Sequence, residues 1–345
     1  MKYLTDFDVE NKRVLVRCDF NVPLDDTGNI LDDFRIKKTL PTLQYLLSKK
    51  ARIILMSHLG EAEGKVVEGL RLGPIKNTLE ELLGLSIKKT TDCIGRETND
   101  QVMQLAAGEI ILLENLRFHK EEAENNAEFA KELAGLGQVY INDAFSVCHR
   151  NHASVSAICQ FLPSFAGLLL AEEIKNLTKI LENPSRPMLA IIGGAKVKTK
   201  VMFIETFSKI ADTVIINGLI KKEILQENIH LKHPEKIISQ IDPSPSLDIS
   251  QESINVFKEK IMAAKTIVWN GPFGKFEEKK YETGTLEIAK AIIKSQAFSV
   301  VGGGETIEFL HKEGILSQFS HVSLGGGAML SFLAGEQLPG LVALG

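Results

Sequence analysis

Lys196 and Lys200 stand four residues apart, directly after Gly193-Gly194. At that spacing two side chains share one face of a helix. Cations in a first helical turn oppose the macrodipole, a local cost that a bound phosphoryl group would relieve. Two further clusters, Gly302-Gly303-Gly304 and Gly325-Gly326-Gly327, also follow short apolar runs and lead into helical patterns. Glycine at such turns lets a ligand approach backbone N–H groups, which attract anions. One cluster is explained as well by the steric demand of a tight turn; three in one half of the chain point to a phosphate ligand. The common nucleotide signatures are missing. Neither Gly64-Lys65 nor Gly274-Lys275 has P-loop spacing, no G-x-G-x-x-G occurs, and His149-Arg150-Asn151 lacks the aspartate of a protein-kinase catalytic loop.

The first half carries a second set of groups. Asp19 and Asn21 follow one apolar run and precede Arg35; His58 follows another; Arg117 and Arg150 follow two more. Arginine matches phosphate and carboxylate with two parallel hydrogen bonds, so a cluster of this kind suits a small, highly anionic metabolite. Singly, each is read more simply as a surface ion pair or, for His58, as a satisfied core histidine. Their shared position beyond strand ends favours one common site, because open α/β sheets bind ligands at the carboxyl ends of their strands.

The elements that must hold these groups are legible in the hydrophobic pattern. Runs rich in Val and Ile at residues 14–17, 52–56, 110–113, 139–142, 188–192, 213–216, 266–269, 298–301 and 321–323 alternate with helix-length amphipathic segments. Runs apolar on both faces predict parallel strands covered by helices on each side. The expected fold is α/β: two Rossmann-like, doubly wound parallel-sheet domains joined by a long helix. Leu170, Ile174, Leu177 and Leu181 form that helix's stripe, and Asn183-Pro184-Ser185-Arg186-Pro187 ends it. An ordinary crossover helix within one large sheet is the alternative. The predicted division is residues 1–163, a helix at 164–182, a second domain at 183–330, and a tail at 331–345.

At 345 residues the chain has room for two cores, and its net charge of −4 gives no general attraction to nucleic acid or membrane. No apolar run is long enough to span a bilayer, and four scattered cysteines without C-x-x-C spacing read as reduced thiols of a cytoplasmic protein. An arginine-lined half and a glycine-rich half together suggest phosphoryl transfer between a small acid and a nucleotide, with closure excluding water.

At these residues the sequence resembles the phosphoglycerate kinase family. The matching stretches include Arg17-Cys18-Asp19-Phe20-Asn21, Ser57-His58-Leu59-Gly60, Glu114-Asn115-Leu116-Arg117-Phe118 and Asn142-Asp143-Ala144-Phe145. Gly193-Gly194-Ala195-Lys196, Trp269-Asn270-Gly271-Pro272 and Gly325-Gly326-Gly327-Ala328 continue the match in family order. The resemblance implies a first domain that binds 3-phosphoglycerate or 1,3-bisphosphoglycerate through Asp19, Asn21, Arg35, His58, Arg117 and Arg150. It implies a second domain that binds ATP or ADP with Mg²⁺. There, Lys200, Asn270, Gly271, Pro272, Glu277, Gly303, Gly304, Glu305, Thr306, Gly325, Gly326 and Gly327 would contact the nucleotide, with Glu305 at the metal. Arg35, Lys196 and Lys200 would be catalytic, and a cytoplasmic monomer with no nucleic-acid or membrane partner is the family expectation.

The chain departs from the family pattern at several points. Glu61 stands where an arginine is usual, Glu305 where an aspartate is, and Ser146-Val147-Cys148 where Gly-Thr-Ala is. Leu324 replaces a threonine, and the stretch from Asn217 to Trp269 is a few dozen residues short, with residues 242–246 as the loop across the cut. Two outcomes are therefore weighed: a working kinase with a trimmed nucleotide domain, and an impaired homologue kept as a metabolite-binding or regulatory protein. The intact cations favour the first.

Overall fold

A computed structural model describes residues 1–194, 197–242 and 247–345, with 197–199 described by their backbone. In the first half, β1 (Arg13–Arg17), β2 (Arg52–Met56), β3 (Lys88–Lys89), β4 (Ile110–Leu112), β5 (Val139–Asn142) and β6 (Ser164–Ala166) form one sheet in the order β3-β4-β2-β1-β5-β6. In the second half, β7 (Met188–Ile192), β8 (Thr213–Ile216), β9 (Ile237–Ser239), β10 (Thr266–Asn270), β11 (Phe298–Gly302) and β12 (His321–Ser323) form another, ordered β12-β11-β10-β7-β8-β9. All pairings are parallel, so the carboxyl ends of the strands in each sheet lie on one side.

The central strands show why the pattern was readable. Val14 pairs with Ile53 on one side and Val139 on the other, and all three side chains are fully buried. Val14 and Val16 belong to a core with Ile36, Leu43, Leu46, Ile75 and Leu79 from the neighbouring helices. The expected two-sheet α/β architecture is present. The three strands that the pattern did not predict, β3, β6 and β9, are all at sheet edges. The edge at β6 is not bare: Tyr3 bridges Ala166, and the Ala166 N–H donates to the Lys2 carbonyl at 2.9 Å.

Each glycine cluster leads into a helix: Val197–Ile210, Gly304–Lys312 and Gly326–Leu333. The longer helix Leu168–Glu182 starts where the Asp143 carboxylate accepts the Leu169 and Leu170 N–H groups at 2.9 and 3.3 Å. The chain forms two compact units. One comprises Met1–Ile174 with Gln337–Gly345, the other Lys175–Glu336. The C-terminal segment is fastened to the first unit by the Gly340 N–H, which donates to the Cys148 carbonyl at 2.9 Å. No helix among the described residues is long and apolar enough to cross a membrane.

Candidate functional site

In the first unit the charged groups gather at the carboxyl ends of β1, β2, β4 and β5. Asp19 lies two residues past β1 and is buried; Arg35, in the first turn of the helix Phe34–Ser48, forms an ion pair with its Oδ2. The Ser146 hydroxyl, from the turn after β5, donates to the same oxygen. Burial pushes the Asp19 carboxyl up, but Arg35, with the Ser146 hydroxyl and Arg17, outweighs it and holds the group down at about 2. Ser146, one of the departures from the family pattern, thus works as a second anchor for Asp19.

His58 follows β2 and is buried, and its Nδ1 lies 3.1 Å from an Arg17 guanidinium nitrogen. Arginine can only donate, so Nδ1 must accept, and the neutral ring carries its proton on Nε2. Burial and the positive field of Arg17, with smaller contributions from Arg117 and Arg35, keep the imidazole neutral against the pull of Asp19. Arg17 itself was not among the residues singled out from sequence. It is buried at the end of β1, donates to the Cys18 carbonyl, and donates through Nε to Ser154 Oγ at 2.9 Å. Ser154 passes its own hydroxyl proton toward buried Glu122 at 2.6 Å. Arg17 and Glu122 therefore balance each other through one hydroxyl, and that line ends on His58.

The loop after β4 is shaped by Asn115. Its side chain donates to the Leu59 and Leu70 carbonyls at 2.8 and 2.9 Å and accepts from the Arg117 N–H at 3.1 Å. Arg117 is nearly buried and donates to the Gly60 carbonyl at 2.7 Å, while Asn21 Oδ1 accepts the Gly60 N–H at 2.8 Å. Arg150 is exposed beyond β5, within electrostatic reach of Arg117. His152 is pushed down to about 4 by burial and by Arg117, Arg17 and Arg150, which leaves it neutral beside Glu122. Asp19, Asn21, Arg35, His58, Arg117 and Arg150 are thus joined by direct bonds or by shared fields in one place.

In the second unit the glycine turns interlock at the carboxyl ends of β7, β10, β11 and β12. The Gly193 N–H donates to the Asn270 carbonyl at 2.9 Å and the Gly194 N–H to the Pro272 carbonyl at 2.8 Å. A Cβ on Gly193 would sit 2.3 Å from the Pro272 carbonyl oxygen, so glycine is a steric requirement there. Gly326 likewise lies against Gly303, whose Cα would be 2.8 Å from an added Cβ. Lys200 donates to Asn270 Oδ1, and the Gly271 N–H donates to Thr306 Oγ1 at 3.0 Å. Glu305 is exposed in the first turn of the helix Gly304–Lys312, next to Gly303, and Gly327 is exposed at the start of the helix that Gly325 caps. Glu277 is exposed, within electrostatic reach of Lys275. Lys196 lies outside the described residues, as do residues 243–246 of the expected loop.

Cys148 is buried and its thiol is pushed up to about 12, chiefly by burial, so it packs and does not attack. Asp92, Cys93 and His119 converge elsewhere, with ligand atoms within 4.8 Å of one another. There Asp92 is already bonded to His119 at 2.7 Å and burial keeps the Cys93 thiol protonated, so the group reads as a packing clamp.

The arginine cluster of the first unit and the interlocked glycine turns of the second stand at the strand ends of two separate parallel sheets. The family model described as "Phosphoglycerate kinase" matches residues 4–231 and 221–336. The chain belongs to the phosphoglycerate kinase family. It is 39% identical over 388 aligned residues to the phosphoglycerate kinase of Pelotomaculum thermopropionicum, covering 99% of this chain and 98% of that protein. It is 41% identical over 387 to that of Moorella thermoacetica, with the same coverage. Among solved structures it is similar to phosphoglycerate kinase from Pyrococcus horikoshii, with TM-score 0.90, 32% identity and coverage of 100% and 98% of the two chains. The enzyme from Coxiella burnetii gives TM-score 0.83 at 33% identity, covering 99% and 98%. Alignments of this length against 345 residues leave a few dozen positions of the relatives without a counterpart here. The two pieces of the family match meet at residues 221–231, just after β8, which locates the shortening. The strand β9 that follows pairs with β8 and completes the six-stranded sheet.

Proposed function

We propose that this chain catalyses reversible phosphoryl transfer between 1,3-bisphosphoglycerate and ADP, giving 3-phosphoglycerate and ATP. The observation that carries this is the convergence of Arg35, His58, Arg117 and Arg150 at one sheet end, in a chain whose other sheet ends in interlocked glycine turns. In the first unit, Arg117 and Arg150 bind the phosphate of the acid and His58 donates from Nε2. Asn21 orders the loop beside them, and Asp19 fixes Arg35 with its charge toward the acid's carboxylate. In the second unit, Asn270, Gly271, Pro272 and Glu277 border the nucleoside. Gly303, Gly304, Thr306 and the turn of Gly325, Gly326 and Gly327 present N–H groups and helix ends to the phosphates.

In the ATP-forming direction reversed, a carboxylate oxygen of 3-phosphoglycerate forms the new P–O bond while the bond between the γ-phosphorus and the ADP oxygen breaks. Negative charge passes from the carboxylate to ADP, and no proton transfer is needed. The work is positioning and charge compensation. Arg35 supplies a cation on the acid side, and Lys200, with Lys196 near it, supplies one on the nucleotide side. An exposed carboxylate beside phosphate-binding turns is the oxygen donor set that suits Mg²⁺, which keeps several waters and takes one or two carboxylates plus phosphate oxygens. Glu305 would hold it, and the ion would neutralise the triphosphate. A cytoplasmic monomer, with no nucleic-acid or membrane partner, completes the proposal.

The test is ATP-dependent phosphorylation of 3-phosphoglycerate with Mg²⁺ in a coupled assay, with Lys200→Ala made in parallel. Turnover should fall on the order of a thousandfold in the variant, as for loss of a group that stabilises transition-state charge. A folded wild-type protein that binds 3-phosphoglycerate without turnover would favour the metabolite-binding homologue instead.

A further inference from the structure

Residues 60–64, which follow His58, fold around Arg117 and place Glu61 on it. The loop is pinned three times: the Gly60 N–H to Asn21 at 2.8 Å, the Gly60 carbonyl to Arg117 Nη1 at 2.7 Å, and the Gly64 N–H to the Arg117 carbonyl at 3.0 Å. Gly60 and Gly64 take φ of +63° and +75°, values that favour glycine, and a Cβ on Gly64 would lie 2.7 Å from that of Lys120. Between these two fixed points the Glu61 carboxylate lies 2.8 Å from Arg117 Nη1. The partners are unequally solvated, the arginine side chain being 7% exposed and the glutamate 70%. Among the described residues whose charges bear on Arg117, Arg150 and Arg17 are cationic and Glu61 opposes them.

We infer that Glu61 is a tethered counter-anion for Arg117, which the phosphate of the acid must displace to bind. The inference rests on the function proposed above. Its backbone is held, but its side chain stands in water and can swing away without disturbing a buried contact. Binding is then an exchange of one anion for another on the same guanidinium. A doubly charged phosphate gains more from that exchange than a single carboxylate does, so Glu61 makes the site more selective for phosphorylated acids while weakening its affinity for them.

The test compares Glu61→Gln with wild type. Glutamine keeps a hydrogen-bond acceptor for Arg117 and removes only the charge, so the loop is retained. Two readouts are taken: the KM for 3-phosphoglycerate in the coupled assay, and the Kd for 3-phosphoglycerate by calorimetry without nucleotide. Both should fall about three- to tenfold, the span expected for a pair with one exposed partner, and the KM for ATP should not follow. A KM and Kd unchanged or raised in an active enzyme would overturn the role of Glu61. Tighter binding in the variant, with no turnover in either protein, would support Glu61 and overturn the proposed reaction. No binding of 3-phosphoglycerate by either protein would overturn both.

Discussion

At the scale of single residues, arginines of the first unit are offset by anions. Asp19 offsets Arg35, Glu122 offsets Arg17 through Ser154, and Glu61 offsets Arg117. Arg17 has the further effect of fixing the tautomer of His58, since a guanidinium at Nδ1 leaves only Nε2 to carry the proton. In ¹⁵N spectra of the imidazole, His58 should therefore remain the neutral Nε2–H form from pH 5 to pH 8. With Arg17→Met, a buried positive charge and the Nδ1 donor are both lost, and the His58 pKa should rise toward its usual range. Titration of His58 between pH 5 and 8 in the wild type would refute this. The sequence showed the polar and charged groups at the strand ends, because Asp19, His58, Arg117 and Arg150 all follow apolar runs. It did not show the groups behind them. Ser154 lies 137 residues from Arg17, and a pairing at that separation has no local signal.

At the scale of elements, what was legible depended on where a strand lies in its sheet. Interior strands such as β1 and β10 are buried on both faces and appear as unbroken apolar runs. The edge strands β3 and β9 are half-exposed, and β3 is two lysines, so propensity and pattern both miss them. The helix Leu168–Glu182 was visible in its stripe, yet the residue that starts it was not. Asp143, on the turn after β5, accepts its first N–H groups from a buried position, with the Thr42 hydroxyl beside it. Burial outweighs those hydrogen bonds and raises the Asp143 carboxyl from 3.8 to about 6. The folded protein therefore takes up this proton before the unfolded chain does. The resulting stability is full below about 3.8 and is lost as the pH rises through about 6. A shift of two units corresponds to roughly 2–3 kcal/mol. Asparagine at this position keeps an acceptor for the helix and cannot ionise. Relative to wild type, Asp143→Asn should thus gain stability between pH 4.5 and pH 7.5 by about that amount. Urea unfolding at the two pH values measures it, and a constant difference between the proteins would remove Asp143 as the cause.

At the scale of the whole chain, the first unit is not a continuous piece of sequence. It needs Gln337–Gly345 as well as Met1–Ile174, whereas the second unit is the unbroken stretch Lys175–Glu336. The family match ends at residue 336, so its last position coincides with the end of the second unit. The segment beyond it is a closing element with its own core contacts: Leu338 and Leu344 are buried, and the helix Pro339–Leu344 packs against the turn Ala157–Gln160 and β6. Gly340 fits against Cys148 and Val155 so closely that an added Cβ would lie 2.7 Å from Val155 Cγ1 and 3.2 Å from the Cys148 sulfur. This contact explains why the thiol is sealed. A chain ending at Glu336 loses two buried leucines, on the order of 3–5 kcal/mol, and opens Cys148. In the full chain under native conditions a thiol reagent should modify Cys159, the one half-buried cysteine, ahead of the three buried ones. In the shortened chain Cys148 should join it while Cys18 and Cys93 stay protected, with circular dichroism confirming that the sheets remain. Protection of Cys148 in that chain would mean that the last nine residues do not close the unit.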